Sequence, residues 1–249
     1  MRIGLMDVDA VSRGKVTYPN LALMKLSAMY KQQGHTVEWI DTTAPLAMPH
    51  YDMAILSRVF SEPYSHDYTG FINADKVIRG GSGYAIKIEN GRETYHPELD
   101  PPLPPEAEHI YPDYSLYPFT QDDGGHAYGF ITRGCPRACN FCHVSGMQGR
   151  RSHIAGDLSQ FWHGQKYIHL YDPNILACRN WKDVFIELAE SRAYIDFNQG
   201  LDIRLITPEK LEHLNQIRYK AIHFAWDNPG EDLRELFAQT ANLLRRCSR

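Results

Sequence analysis

Cys135, Cys139 and Cys142 fall within eight residues, in the run Gly129-Phe-Ile-Thr-Arg-Gly-Cys-Pro-Arg-Ala-Cys-Asn-Phe-Cys-His143. Thiolates at spacings of four and three can wrap one soft metal centre, because sulfur is the donor that soft metals prefer. Three ligands rather than four leave a coordination position open for chemistry. A fourth donor from His143, His153 or Cys178 would close the site tetrahedrally and turn the run into a structural zinc site, as in a nucleic-acid-binding module. Zinc knuckles favour paired Cys-x2-Cys units, whereas this run is Cys-x3-Cys-x2-Cys.

A reactive loop needs rigid elements beneath it. Residues 125–249 repeat a strand–loop–helix unit four times, with strands at 128–131, 167–171, 194–197 and 221–225 and helices at 157–163, 181–192, 208–218 and 231–246. Thr207 caps the third helix with Pro208 in its first turn, and Leu233, Leu236, Phe237 and Leu244 stripe the last one. Repeated β/α units predict parallel strands with right-handed crossovers, and ligands at their carboxyl ends. The cysteine loop, Asp172-Pro-Asn174, Gln199-Gly-Leu-Asp-Ile-Arg204 and Asp227-Asn228 all fall at such ends.

Residues 1–88 alternate in the same way. Strands are predicted at 3–6, 36–40, 53–57 and 76–78, and Asn20 caps a helix that Gly34 stops. The pattern predicts a Rossmann-like parallel sheet with covered faces. No G-x-G-x-x-G follows the first strand, which argues against a nicotinamide or flavin site there. Gly80-Gly-Ser-Gly83 is either a tight turn or a close approach of backbone to ligand. Between the halves, residues 89–124 are dense in proline and tyrosine, and an extended connector packing its aromatics across two domains is expected.

The chain has 249 residues, 43% of them hydrophobic, enough for one large or two small domains with a real core. A net charge of −4 gives no general pull toward nucleic acid or an anionic membrane. No apolar run approaches the roughly 20 residues of a spanning helix. Met1-Arg-Ile-Gly-Leu-Met-Asp7 reads as a core strand rather than a signal peptide, so a cytoplasmic protein is expected. The five cysteines stand at 135, 139, 142, 178 and 247, an odd count that suits free thiols better than a disulfide framework.

The spacing Cys-x3-Cys-x-aromatic-Cys, with Phe141 as the aromatic, resembles the signature of radical S-adenosylmethionine enzymes. The resemblance implies that Cys135, Cys139 and Cys142 hold a 4Fe–4S cluster whose open iron binds the amino and carboxylate groups of S-adenosylmethionine. It implies an enzyme acting on a small-molecule or peptide substrate, supplied with electrons by a flavodoxin- or ferredoxin-like donor. Phe141 is expected near the cluster or the adenine. Asp172 and Asn174 are expected against the methionine ammonium, although the family's Gly-Gly-Glu pattern is absent there. Asp202 or Arg204 would contact the ribose or carboxylate, or form a structural ion pair, and Asp227 and Asn228 would face substrate. Arg133 and Arg137 flank the cluster loop, as potential-tuning charges or as solvated ones. Cys178 is a substrate-side thiol or hydrogen donor, or a small buried hydrophobe.

The family's barrel carries more units than the four read here, so a partial, open barrel is expected, with missing units or a shortened chain, closed by a partner or a second copy of itself. A shortened homologue that keeps the motif without catalysing is the non-enzymatic alternative. Residues 1–88 resemble the cobalamin-binding domain that precedes many such barrels, on strand order, the helix entry at Pro19-Asn-Leu-Ala-Leu23 and Gly80-Gly81. That family's cobalt-ligating histidine and its glycine are replaced by Asp9 and Ser12. A carboxylate is a poor soft-metal ligand. The domain then binds cobalamin without a protein ligand to cobalt, or only supports substrate or fold. Methylthiotransfer to RNA is disfavoured, because the first half has no cysteines for a second cluster.

Overall fold

A computed structural model describes residues 1–16, 18–228 and 230–244. Cys247 and the end of the helix expected to reach residue 246 lie outside the described residues. The chain is mixed α/β and divides into two compact units, Met1–Pro118 and Phe119–Arg249.

In the first unit, β1 (Arg2–Asp7) leads into α1 (Val8–Arg13) and α2 (Leu21–Gln32), followed by β2 (Thr36–Trp39), β3 (Met53–Ser57) and β4 (Val77–Gly80). The four strands form one parallel sheet in the order β2-β1-β3-β4. Every residue of β3 and all but the first of β1 are buried, as expected of central strands covered on both faces. Met6, Val8, Ile40, Met48, Tyr51, Ala54 and Leu56 pack together as one core cluster. Asn20 caps α2 as expected, its Oδ1 accepting from Leu23 N at 3.2 Å.

The expected connector is corrected. After α3 (Ser82–Ala85), β5 (Ile86–Glu89) and β6 (Arg92–Tyr95) form an antiparallel hairpin. Its turn is Asn90-Gly91, both at positive φ, the geometry that two-residue hairpins demand. A short helix, α4 (Pro105–Glu108), follows, with proline in its first turn, where no N–H is needed. The tyrosine-rich stretch then folds back within this unit. Tyr117 packs edge-on against Trp39 and donates to Asp7 Oδ2 at 2.6 Å. Asp113 accepts from Ser27 and Lys31, each at 2.6 Å. The Gly80–Gly83 loop is a packing device: a Cβ on Gly81, at φ +97, would run into the Arg58 carbonyl oxygen.

In the second unit, β7 (His126–Gly129), β10 (Tyr167–Leu170) and β11 (Tyr194–Phe197) form a parallel sheet in the order β11-β10-β7. Two-residue strands β8 (Thr132–Arg133) and β9 (His153–Ile154) pair antiparallel. Between them lies α5 (Val144–Gln148); after the sheet strands come α6 (Trp181–Ser191), α7 (Pro208–Leu214) and α8 (Arg234–Leu243). Thr207 caps α7, accepting from Lys210 N at 3.2 Å. Residues Val184, Phe185 and Leu188 of α6 are buried, and Phe185 meets Phe197 of β11 with ring centres 6.0 Å apart.

Two expected elements are reduced. The first helix, 157–163, is a single 3-10 turn, Leu158–Gln160. The fourth strand, 221–225, is not continuous: the chain runs beside β11 but pairs only at Tyr194–Arg218 and Leu201–Phe224. Between those points β11 ends in a turn, with Gly200 at φ +76 donating to the Phe197 carbonyl at 2.8 Å. The partner's ladder therefore has nothing to pair with.

Candidate metal centre

The cysteine run is a long loop clamped at its stem. Thr132 pairs with Ile154 and Arg133 with His153, so residues 134–152 leave and re-enter at one place. Gly134 opens the loop at φ +84, where a Cβ would collide with the Arg151 carbonyl oxygen. Cys135 N donates to the Gly149 carbonyl at 3.1 Å, and Gly134 N to Gln148 Oε1 at 3.3 Å. Farther along, Cys142 N donates to the Cys139 carbonyl at 3.0 Å. Ala138 sits in the left-handed region at φ +46, the chain reversal between the first two cysteines.

Cys135, Cys139 and Cys142 are free thiols, each partly buried. Burial pushes the Cys139 thiol up, as do Cys142, Asp227 and Cys135, while Arg204 opposes them. Cys135 and Cys142 are thus within electrostatic reach of Cys139, as are Asp227 and Arg204. Among the described residues, no group of three or more His, Cys, Asp or Glu side chains is arranged to hold a metal ion.

The polar residues at the strand ends gather around the first cysteine. Asn174, only 3% exposed, points Nδ2 at Cys135 Sγ (3.5 Å) and Asp202 Oδ2 (3.4 Å). Its Oδ1 is buried with no hydrogen-bond partner among the described residues. A buried amide oxygen left unpaired costs on the order of 1–3 kcal/mol, so this atom is suited to accept from a bound donor. Asp202 accepts from Arg137 Nε at 2.5 Å and Arg204 Nε at 2.6 Å. Burial pushes the Asp202 carboxyl up, but the hydrogen bonds and charges of Arg137 and Arg204 outweigh it and hold it below the usual range. Arg204 also reaches Glu231 Oε2 at 2.9 Å. The chain Arg137–Asp202–Arg204–Glu231 ties the cysteine loop to the segment after β11.

The other expected residues are placed differently. Asp172 is spent on its own scaffold: Oδ2 accepts from Ile131 N at 3.1 Å, and Oδ1 from Thr132 N and from Thr132 Oγ1 at 2.6 Å. It thereby fixes the entry to β8. Burial nevertheless raises its carboxyl to about 6. Phe141 is 62% exposed and packs into no described core. Cys178 is 2% exposed, where the sequence leaves a choice between reactive thiol and small hydrophobe, and its burial matches the second. Arg133 lies over Phe130, 4.9 Å from the ring centre, and Arg137 is an ion-pair partner rather than a solvated charge. Asn228 Oδ1 accepts from Gly230 N at 3.0 Å, closing its own turn.

Gln148, Glu231 and the Ser152 hydroxyl, which donates to the Asn174 carbonyl at 2.9 Å, were not legible as site residues. No sequence signal marks them, because each acts through a long-range backbone or ion-pair contact.

Three free thiols on one loop fit a soft metal by donor type, and Asn174, in contact with Cys135 through Nδ2, keeps an unpaired Oδ1 that fits a hydrogen-bond donor. In the first unit, Asp9 does not fit cobalt: its carboxylate accepts from Val59 N at 2.6 Å and Phe60 N at 3.3 Å. Compared with known proteins, the chain matches no protein-family model, and no curated protein matches it.

Proposed function

We propose that the second unit is the catalytic part of a radical S-adenosylmethionine enzyme, with a 4Fe–4S cluster held by Cys135, Cys139 and Cys142. The parallel β/α arrangement of this unit supports reading it as a partial barrel of that family, and the four-stranded parallel sheet of the first unit supports reading that unit as Rossmann-like. The observation that carries the proposal is the cysteine loop at the carboxyl ends of parallel strands, with buried Asn174 reaching Cys135 through Nδ2 and its own Oδ1 unpaired among the described residues. When bound, the cluster supplies the electron that cleaves S-adenosylmethionine to methionine and a 5′-deoxyadenosyl radical, which takes a hydrogen atom from substrate.

The chain's own residues bind and orient. Asn174 Oδ1 accepts a hydrogen bond from the ammonium of the bound amino acid moiety. Arg204, held by Asp202 and Glu231, places a guanidinium beside the thiols, suited to a carboxylate. Arg137 and Asp202 hold the loop on the strand ends, and Asp172 holds its root. Electrons come from an external flavodoxin- or ferredoxin-like donor. No cobalt ligand is assigned, since Asp9 is committed to the backbone at residues 59–60.

Anaerobic reconstitution with iron and sulfide tests the proposal. A brown protein with about four irons per chain, forming 5′-deoxyadenosine with dithionite and S-adenosylmethionine, is expected, and Cys139→Ala should lose the iron. A colourless zinc protein would refute the cluster. An iron-loaded protein that forms no 5′-deoxyadenosine under any reductant would reduce the chain to a non-catalytic homologue.

A further inference from the structure

The sheet of the second unit has one apolar and one polar face. Ala127, Ile168, Leu170, Ile195 and Phe197 are all buried on the first. On the second, strand alternation and register place His126 and Tyr128 of β7, Tyr167 and His169 of β10, and Tyr194 and Asp196 of β11 side by side. Three of these form a chain: His126 Nδ1 lies 2.9 Å from His169 Nε2, and His169 Nδ1 lies 3.0 Å from Asp196 Oδ2. The rings are held flat against tyrosines. His169 stacks on Tyr128 with centres 4.5 Å apart and planes 11° apart, and His126 on Tyr167 at 4.7 Å and 17°.

We propose that Asp196, His169 and His126 are a proton relay on this face, an acid–base site separate from the cysteine loop, that serves a substrate releasing or taking up one proton there. The hydrogen-bond order sets the tautomers. An ionised Asp196 only accepts, so His169 carries its proton on Nδ1. His169 Nε2 is then a lone pair, so His126 donates from Nδ1 and presents Nε2 as the free base. Among the described residues no hydrogen bond uses His126 Nε2. When Nε2 takes a proton, the His126 Nδ1 proton passes to His169 Nε2. The positive charge then rests on His169 against Asp196, and His126 is neutral in its other tautomer. One proton enters and none is lost.

The surroundings favour that outcome. Burial, and then His169, push His126 toward its neutral form, with Lys220 adding to them and Asp123 and Asp122 opposing. Lys166 faces the same edge but is engaged by Asp123 at 2.8 Å, and Lys220 lies over the Tyr167 ring. The relay does not depend on metal at the cysteines, so its test is independent of the cluster reading.

The test is nitrogen-detected imidazole NMR of the full chain between pH 5 and 8, with each ring assigned by its single-histidine variant. The relay requires that His169 Nδ1 stay protonated throughout and that the two rings share a single proton, with uptake of a second weakened at least tenfold. Asp196→Asn should lower the pair's proton affinity about tenfold, the effect of removing an adjacent carboxylate. Should that variant lose its native near-UV spectrum, His126→Asn, at the half-exposed end, gives the same reading by moving the His169 titration at least tenfold. Two rings that each take a proton independently, or a His169 titration unmoved by both substitutions, would overturn the relay.

Discussion

Asp172 shows how one buried carboxylate can be read two ways. By type and place it is a ligand for a cationic group at a strand end; in the fold, two backbone amides and a hydroxyl consume it. Its carboxyl is raised by burial to about 6 from 3.8. The native state therefore binds this proton more tightly than the unfolded chain does. The associated stability is present below pH 3.8 and is lost as pH rises through about 6, on the order of 2–3 kcal/mol. Asp172→Asn is accordingly expected to destabilise most near pH 4 and progressively less toward pH 7.5, read as the difference in urea midpoints from the unsubstituted protein. A pH-independent difference would mean that the carboxyl is not raised. The thiol spacing was legible at this scale because ligand chemistry is a property of residue type. The uses of Asp172, Asn174 and Asp202 were not, because they depend on partners 28–65 residues away.

The elements carry the cysteine loop through its stem. Pairing of β8 with β9 and the close pass of Gly134 under the Arg151 carbonyl bring both ends of residues 134–152 together. Gly134→Ala adds a Cβ at φ +84 against backbone that cannot yield. It should cost roughly 1–3 kcal/mol in chemical denaturation and lower the iron retained on reconstitution. Unchanged stability would place the stem elsewhere. Sheet strands and capped helices were readable from periodicity and from Asn20, Thr207 and Pro208. The Asn90-Gly91 hairpin was equally readable, as two turn residues between β-prone runs, but proline density beyond it suggested an extended connector. The interrupted fourth strand was not readable, since alternation in residues 221–225 cannot reveal that β11 has already turned away.

At the scale of the whole molecule, each unit has its own buried core. Leu5 in β1 and Phe185 in α6 are fully buried, one in each unit. Leu5→Ala should cost about 2–5 kcal/mol and Phe185→Ala about 3–5. Urea unfolding should resolve two transitions, each shifted by only one of the substitutions; a single transition moved by both would show one cooperative body. No helix among the described residues is long and apolar enough to cross a membrane. Residue order alone established an α/β chain with two strand-rich halves and a thiol triplet after a strand, because period and spacing are local properties. The boundary at residue 118, the discontinuous edge of the second sheet and the His126–His169–Asp196 chain came from folding. Each depends on which distant segments the packed backbone sets side by side, and no local pattern encodes that.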